Sequence, residues 1–193
     1  MAGHARYTAL LDACVLYPLA MTDALMSLAT AGFFAAKWTT RIEEEWIRSL
    51  GNQRPELIGR LGVRRDSMRD AIPDWEVPEA AWSAINCGIK LPDPNDVHVL
   101  AAAIAGHSDC IVTSNLKDFP ISILNEFGIE PVDPDTFIIN QWDLDPVNAI
   151  AAFKRMRARR KKPQSSPEDF AYALVIGGLP TTAERLRLAA ELI

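Results

Sequence analysis

The segment Val97–Ala105 is apolar on almost every side, and this feature most strongly constrains how the chain can fold. A helix with a polar face can lie on a protein surface, whereas a helix that is apolar all round must be covered by other elements. Asp93 and Pro94 just before it are typical of a helix start, because Asp caps free N–H groups and Pro suits the first helical position. The sequence therefore predicts a buried helix inside a layered fold.

Short apolar runs alternate with helical patterns along the first part of the chain. We predict strands over Tyr7–Leu11, Phe33–Trp38, Cys110–Thr113 and Ile129–Val132, with helices between them. Strands that are separated by helices are typical of a parallel sheet whose two faces are covered. The predicted fold class is therefore α/β.

Charge is distributed unevenly along the 193 residues. Residues 1–150 hold 11 basic and 21 acidic side chains, a net of −10, whereas residues 151–193 hold 9 basic and 4 acidic side chains, a net of +5. Three further helices are predicted over Val147–Arg160, Pro167–Ile176 and Thr182–Leu192, the last two opened by Ser166 with Asp169 and by Thr181 with Glu184. We predict an acidic body over residues 1–140 and a basic helical extension over residues 141–193.

Composition excludes several classes of protein. The formal charge of −5 argues against a chain that binds nucleic acid simply by being basic. The longest uncharged stretch near the N-terminus, Ala24–Ala36, has thirteen residues, whereas a membrane span needs about 20. The first nine residues lack the charged-then-apolar order of a secretion signal. We therefore expect a cytoplasmic protein without a membrane span.

Three cysteines, Cys14, Cys87 and Cys110, are odd in number and widely spaced, which argues against a disulfide framework. We expect them to be small buried hydrophobic residues.

Oxygen-bearing side chains follow two of the predicted strands. Asp12 directly follows the first strand, and Asn115 and Asp118 follow the strand Cys110–Thr113. Because ligands of open parallel sheets bind beyond the carboxyl ends of the strands, we expect these side chains at one edge. Asp96 lies in the first turn of the buried helix, which is an unusual place for a charge, and should join them.

Three successive glutamates, Glu43, Glu44 and Glu45, lie on a helix that Thr40 and Glu43 are predicted to open as a capping box. Glu45 lies closest to the apolar stripe, since it follows Ile42 by three residues. We choose Glu45 as the glutamate that faces the site and expect Glu43 and Glu44 to be solvated.

Carboxylates gathered at a sheet edge repel one another and need a neutralising partner. Clustered oxygen ligands without nearby Cys or His suit Mg²⁺ or Mn²⁺. A divalent ion held by a few carboxylates, with positions open to water and phosphate oxygens, is suited to phosphodiester hydrolysis.

Three segments resemble the signature stretches of a known family: Leu10–Pro18, Leu91–Ala103 and Ile111–Pro120. They are similar to those of PIN-domain proteins, and the closest resemblance is to VapC-type ribonuclease toxins of type II toxin–antitoxin systems. It covers about residues 7–140. The resemblance implies a PIN-like three-layer α/β/α fold and a Mg²⁺- or Mn²⁺-dependent endoribonuclease toxin, with RNA as substrate and a cognate antitoxin as partner.

The same resemblance implies which residues are catalytic, namely Asp12, Glu45, Asp96, Asn115 and Asp118. Asp12, Asp96 and Asp118 are the expected metal ligands, and Glu45 is a further ligand or a group that positions water. Many PIN nucleases carry Asp in place of Asn115, whose amide oxygen can ligate but contributes no charge. The alternative function is therefore a PIN-like module with weakened catalysis that binds RNA or a partner.

A different carboxylate chemistry, that of the aspartyl phosphatases, fits less well. It usually places a second Asp two residues after the nucleophilic Asp, and this chain has Cys14 there.

An arginine-rich helix over residues 55–72 supplies the candidate substrate-binding residues Arg60, Arg64 and Arg65. Helical spacing places Arg60 and Arg64 on one face and Arg65 on an adjoining one, where they could hold RNA phosphates. A solvated helix surface explains them equally well. The basic run Lys154–Lys162 has the same alternatives and could also bind an acidic antitoxin.

His98 and His107 have no evident partner in the sequence, so we leave both out of the expected mechanism. The five tryptophans are scattered, which indicates core packing and not a stacking surface. The oligomeric state, including a homodimer, stays open at this stage.

Overall fold

The computed structural model describes residues 7–160 and 165–193, and the side chains of all of these except Asn86 and Cys87. The expectations for Cys87 and for Lys161 and Lys162 at the end of the basic run lie outside the described residues and side chains.

The centre of the protein is a sheet of four parallel strands: β1 (Thr8–Leu11), β2 (Ala35–Lys37), β3 (Cys110–Val112) and β4 (Glu130–Val132). Their order is β2-β1-β3-β4, and Ala9 in β1 lies opposite both Ala36 and Cys110. Every residue of β3 is fully buried, because helices cover both faces of the sheet. All four predicted strands are thus confirmed, with slightly shorter bounds.

Eleven α-helices surround the sheet in the described part of the chain. They are α1 (Ala13–Leu16), α2 (Leu19–Thr30), α3 (Thr40–Gln53), α4 (Ile58–Ala71), α5 (Glu79–Trp82), α6 (Val97–Ala105), α7 (Ile121–Leu124), α8 (Pro134–Leu144), α9 (Pro146–Ala158), α10 (Pro167–Ile176) and α11 (Pro180–Leu188). Short 3-10 turns occupy Pro55–Leu57, Ile85–Gly88, Pro94–Asp96, Leu116–Asp118 and Asn125–Phe127.

The strand order determines where a ligand site can form. From β1 the chain moves to one neighbour, β2, and later returns past β1 to β3 and β4 on the other side. Because crossovers between parallel strands are right-handed, this reversal puts the connecting helices on opposite faces of the sheet. The predicted α/β class with helical layers on both faces is confirmed. The reversal also opens a crevice at the carboxyl ends of β1 and β3, where α/β proteins bind ligands.

Helix α6 is the buried helix that the apolar segment predicts, and it packs against β1 and β3. All its residues from Val97 to Ala103 are buried. Asp93 caps the preceding 3-10 turn, since its carboxylate accepts the N–H of Asn95 at 2.9 Å. The burial of α6 fixes Asp96, the last residue of that turn, at the sheet edge.

Two predicted helix starts differ from the structure. The cap of α3 is Thr39 and not Thr40, because the Thr39 hydroxyl accepts the N–H of Ile42 at 3.1 Å. The cap of α11 comes from outside the helix: the Asp135 carboxylate on α8 accepts the N–H groups of Thr181 and Thr182 at 2.6 and 2.9 Å. The predicted pair of Thr181 and Glu184 does not cap this helix. The capping box of Ser166 and Asp169 on α10 is present as predicted.

The C-terminal helices pack on α2 and extend the core of the body. Phe153, Met156, Phe170, Leu174 and Leu186 are all fully buried in the same apolar cluster as the sheet. Helix α8 runs through residue 140, so the expected boundary lies inside a helix, and the division into two domains stays a prediction.

The five tryptophans are all buried, which confirms the core-packing interpretation. No helix in the described ranges has the length and apolar character that a membrane span requires.

Candidate active site

The crevice between β1 and β3 brings together residues that are about one hundred positions apart in the chain. The N–H of Asp12, directly after β1, donates to the carbonyl of Val112 at 3.1 Å and so extends the strand pairing. The hydroxyl of Thr113, directly after β3, donates to Asp12 Oδ2 at 2.7 Å. The sheet itself thus positions the first acidic residue.

The Asp12 carboxylate is 7% exposed and both its oxygens are held by the protein. Oδ1 accepts the N–H of Ala13 at 2.6 Å and caps α1, while Oδ2 accepts from Thr113 and from the thiol of Cys14 at 3.0 Å. Asp12 can therefore cap α1 and still take part in an acidic site.

Cys14 is a polar partner of the site and not only a small apolar residue. Burial, followed by the charge of Asp12, raises the pKa of its thiol to about 12, so the thiol keeps its proton and can donate to Asp12. Its sulfur also accepts the N–H of Ser114 at 3.2 Å. The sequence prediction missed Cys14 and Thr113, although both lie beside the quoted acidic residues. Cys110 is fully buried, as expected.

Asp96 is half-buried at the start of α6 and lies within electrostatic range of the other carboxylates. Burial and then the charges of Asp12, Asp93 and Asp118, in that order, together raise the pKa of Asp96 to about 6. Like charges produce this effect only when they are close and poorly screened. Asp12, Asp93 and Asp118 therefore all lie within electrostatic range of Asp96.

Asn115 and Asp118 form a pair on the loop after β3. The amide of Asn115 donates to Asp118 Oδ2, and the Asn115 N–H donates to Thr113 Oγ1 at 3.0 Å. Thr113 thus connects the pair to Asp12. Asn115 holds a neighbouring carboxylate in place here, a role that an Asp would not fill as well because two carboxylates repel each other.

Glu45 lies on α3 with 30% of its side chain exposed, and it contacts the side chains of His98 and Arg41. Its Oε1 lies 2.9 Å from His98 Nε2 and 3.3 Å from Arg41 Nε. Burial alone would raise the pKa of Glu45, but the contacts with His98 and Arg41 outweigh it and hold the pKa below its usual value. Glu45 is thus ionised and anchored at neutral pH.

His98 has a partner that the sequence did not reveal. It is 1% exposed, lies in the first turn of α6 two residues after Asp96, and contacts Glu45 on α3. The approach of Nε2 to Glu45 is short but lacks the alignment of a hydrogen bond. Among the described residues, Nδ1 of His98 meets no hydrogen-bond partner.

Glu43 corrects one expectation. It is buried and not solvated, because it forms an ion pair with Arg69 and accepts the indole N–H of Trp38 at 2.9 Å. Glu44 is exposed, as expected. The glutamate triplet thus divides into a structural Glu43, an exposed Glu44 and a partly exposed Glu45.

Arg64 does not form part of a phosphate-binding face. Its guanidinium donates to the carbonyls of Leu16 and Tyr17 at 2.5 and 3.2 Å and to Thr22 Oγ1 at 2.7 Å. It also lies over the ring of Trp46 at 4.8 Å, and burial lowers its pKa to about 10. These contacts attach α4 to the end of α1, so the prediction of Arg64 as a substrate ligand is corrected to a structural role.

The other two predicted substrate residues remain at the surface. Arg60 is exposed on α4. Arg65 is partly exposed and lies beside Asp66 at 2.8 Å, which neutralises part of its charge.

Several cations of the C-terminal extension are used for its own packing. Lys154 donates to the carbonyl of Leu192 at 3.0 Å, and Arg157 donates to the carbonyls of Ser165 and Ile193 at 2.8 and 2.9 Å. Arg159 pairs with Asp23 of α2 at 2.5 Å. The net positive charge of this segment is therefore partly structural.

The acidic edge fits a divalent ion in donor chemistry. Asp12, Asp96 and Asp118 offer hard oxygen atoms. After burial, the charges of Asp12 and Asp118 contribute to the raised pKa of Asp96, and a cation would relieve this repulsion. Among the described residues, however, no three His, Cys, Asp or Glu side chains are already close enough to form a finished metal site. Protein donors orient the carboxylates of Asp12 and Asp118.

Comparison with known proteins gives two matches to family profiles. A profile described as "PIN domain" matches residues 8–117, and a profile described as "VapC50 C-terminal domain" matches residues 134–188. The first contains Asp12, Glu45, Asp96 and Asn115, and the second contains the helices α8–α11.

A curated relative, "Putative ribonuclease VapC50" of Mycobacterium tuberculosis (strain ATCC 25618 / H37Rv), is 47% identical over 49 residues. The match spans 25% of this chain and 29% of the relative's length. No solved structure gives a significant match. Because the PIN profile spans more than half of the 193 residues, the chain belongs to the PIN-domain family.

Proposed function

We propose that the protein is a metal-dependent endoribonuclease and the toxin of a toxin–antitoxin pair. The observation that carries the proposal is the hydrogen-bonded link, through Thr113 and Asn115, between Asp12 and Asp118 at the crevice between β1 and β3. Asp96 lies within electrostatic range of both carboxylates. The ribonuclease named among its relatives shares only part of its length with this chain, so its activity supports the proposal by similarity.

Asp12, Asp96 and Asp118 would hold Mg²⁺ or Mn²⁺, because their oxygens match the preference of both ions. The bound ion supplies an activated water and stabilises negative charge on phosphorus. The protein keeps the ligands ready: Thr113 and Cys14 orient Asp12, and Asn115 orients Asp118.

Glu45 remains ionised at neutral pH beside His98, so it can accept a proton from an attacking water or orient that water. This role needs a carboxylate held still, which the contacts with His98 and Arg41 provide.

RNA and an antitoxin are the partners of this proposal. Arg60 and Arg65 on α4 are the candidate phosphate contacts that remain at the surface. A cytoplasmic location and a homodimer are further parts of the proposal.

Cleavage of RNA by the purified full chain, free of any partner, tests the proposal. We expect cleavage with Mn²⁺, none with EDTA, and none in Asp96→Asn, which should keep the circular-dichroism spectrum of the wild type. Asp70→Asn, an exposed carboxylate on α4, is the matched control and should cleave normally. RNA that is bound but left intact under all conditions would favour the alternative, a PIN-like binding module.

Growth of cells that express the chain tests the toxin assignment separately. Expression should slow growth, and Asp12→Asn should relieve the effect at equal protein levels. Equal toxicity of the two proteins would contradict a catalytic origin.

A further inference from the structure

A groove of about 420 Å³ adjoins the acidic edge on the side of Glu45. Helix α1, the turn after it and one face of α3 form its walls. The lining residues are Ala13, Cys14, Tyr17, Glu45, Trp46, Ser49 and Gln53. The groove thus begins at a proposed catalytic residue and leads away from it.

The polar wall of the groove is a regular stripe on α3. Glu45, Ser49 and Gln53 follow one another at four-residue spacing, which places them on one line along the helix. Eight residues of helix rise about 12 Å, so Gln53 lies well beyond the reacting centre. Ser49 and Gln53 are exposed and offer a hydroxyl and an amide to a ligand.

The opposite wall offers an aromatic ring in a fixed position. Tyr17 is half-buried, and its hydroxyl donates to Gln53 Oε1 at 2.6 Å. This bond holds the ring next to the polar stripe. An aromatic ring beside side chains that can hydrogen-bond a base edge is how proteins bind unpaired RNA bases.

Charge argues for a base, and against a phosphate, in this groove. Its lining contains the carboxylate of Glu45 and no Lys or Arg among the described residues. A second cavity of about 710 Å³ shares Tyr17 and Gln53 with it and is lined by Arg54, Arg60 and Arg64. Arg54 pairs with Glu56 and Arg64 is engaged with backbone carbonyls, so Arg60 is the cation best placed for a phosphate.

We infer that the groove is a nucleobase subsite for the RNA strand next to the cleaved bond. One unpaired base stacks on Tyr17 and its edge contacts Ser49 and Gln53, while the strand continues toward Arg60. The inference rests on the proposed function, because it requires RNA at the acidic edge.

A scan with single abasic nucleotides tests the subsite. A set of short single-stranded RNAs, each lacking one base, is bound to the full chain in EDTA, so that cleavage does not interfere. We expect one position at which loss of the base weakens binding by about ten-fold, as a lost stacking interaction would.

Variants of Tyr17 then link that position to the groove. We call the loss of affinity caused by removing that base the abasic penalty. In Tyr17→Ala the abasic penalty should disappear, because the stacking partner is gone. Tyr17→Phe keeps the ring and should keep the abasic penalty. Tyr172→Ala on α10, which removes an exposed tyrosine outside the groove, is the matched control and should behave as the wild type. The comparison uses the difference between two RNAs on the same protein, so a general loss of stability cancels.

An abasic penalty that persists in Tyr17→Ala, or the absence of any position with a penalty, would overturn the subsite. The proposed function is contradicted by a different result. If the abasic penalty depends on Tyr17 but the protein does not cleave RNA in Mn²⁺, the nucleobase subsite is supported and the nuclease activity is contradicted. If the protein cleaves RNA but no abasic penalty depends on Tyr17, the nuclease activity is supported and the subsite is contradicted.

The polar stripe predicts a second readout. Ser49→Ala and Gln53→Ala should change the base preference at one position beside the mapped cut, and leave the other positions unchanged. Arg48→Ala, an exposed neighbour on α3 that does not line the groove, is the control. An unchanged cleavage pattern in both groove variants would contradict base reading by this wall.

Discussion

Asp96 ionises less readily in the folded protein than in the unfolded chain, since burial and nearby carboxylates raise its pKa from 3.8 to about 6. The folded state disfavours the charged form, so folding stability decreases as the pH rises through this interval. This loss of folding stability is absent below the pKa that Asp96 has in the unfolded chain and complete above the pKa that it has in the folded protein. Asp96, one of the proposed metal ligands, therefore destabilises the metal-free protein at neutral pH.

Asp96→Asn should accordingly raise the melting temperature of the metal-free protein at pH 8. The pKa shift corresponds to roughly 3 kcal/mol, and partial exposure reduces the expected gain to about 1 kcal/mol, or about 2–4 °C at this chain length. Thermal unfolding in EDTA at pH 8 and pH 4.5 measures it, and the gain should shrink at the lower pH. Asp70→Asn should show no such pH-dependent gain, and a lower melting temperature of Asp96→Asn at pH 8 would contradict the argument.

His98 provides a second test at the level of single residues. His98→Leu removes the group that holds Glu45, and loss of such an outer partner reduces activity by about 10–100-fold. His98→Gln keeps a polar donor and should retain more of the RNA cleavage rate. In a Glu45→Gln background, His98→Leu should reduce the RNA cleavage rate little further. A full additional loss of rate in that background would mean that His98 acts only through packing of α6.

The glutamate triplet shows what the sequence could and could not predict about single residues. Closeness to the apolar stripe selects Glu45 from the sequence, and its part in the site stays a prediction. The burial of Glu43 could not be predicted in this way, because its partner Arg69 lies on another helix, 26 residues away. The Glu45–His98 contact was missed for the same reason.

At the level of elements, the sequence predicted the strands and most helices because each one carries its own periodicity or start signal. Helix α6 and the capping box of α10 are local features of this kind. The start of α11 is not local, since its N–H groups are capped by Asp135, 46 residues earlier. No pattern within the segment itself can reveal such a cap.

The Asp135 cap leads to a prediction about α11. Asp135→Ala should destabilise the protein by about 1–2 kcal/mol, the usual effect of removing a helix cap, because the buried N–H groups of Thr181 and Thr182 lose their acceptor. Asp143→Ala, which removes an exposed ion pair with Arg185 from the same helix, should cost about 0.5 kcal/mol or less. Urea unfolding of both variants measures the difference, and equal effects would contradict the role of Asp135.

For the whole molecule, the C-terminal helices are part of one apolar core, although their charge differs from that of the body. A chain ending at residue 145 would lose fully buried residues such as Phe153, Phe170 and Leu186 and expose the side of α2 that they cover. We expect this truncated chain to bind a hydrophobic dye and to unfold without a sharp transition. Cooperative unfolding near the full-length melting temperature would instead support a body that folds alone.

The pairing of β1 with β3 also determines when the acidic centre can exist. Asp12 and Glu45 are made early in synthesis, whereas Thr113, Asn115 and Asp118 emerge after more than half of the chain. Contacts between such distant segments form late, because a long loop must first be closed. A ribosome-bound fragment that lacks β3 therefore has Asp12 and Glu45 without the residues that complete the acidic edge. The complete site forms only after β3 pairs with β1.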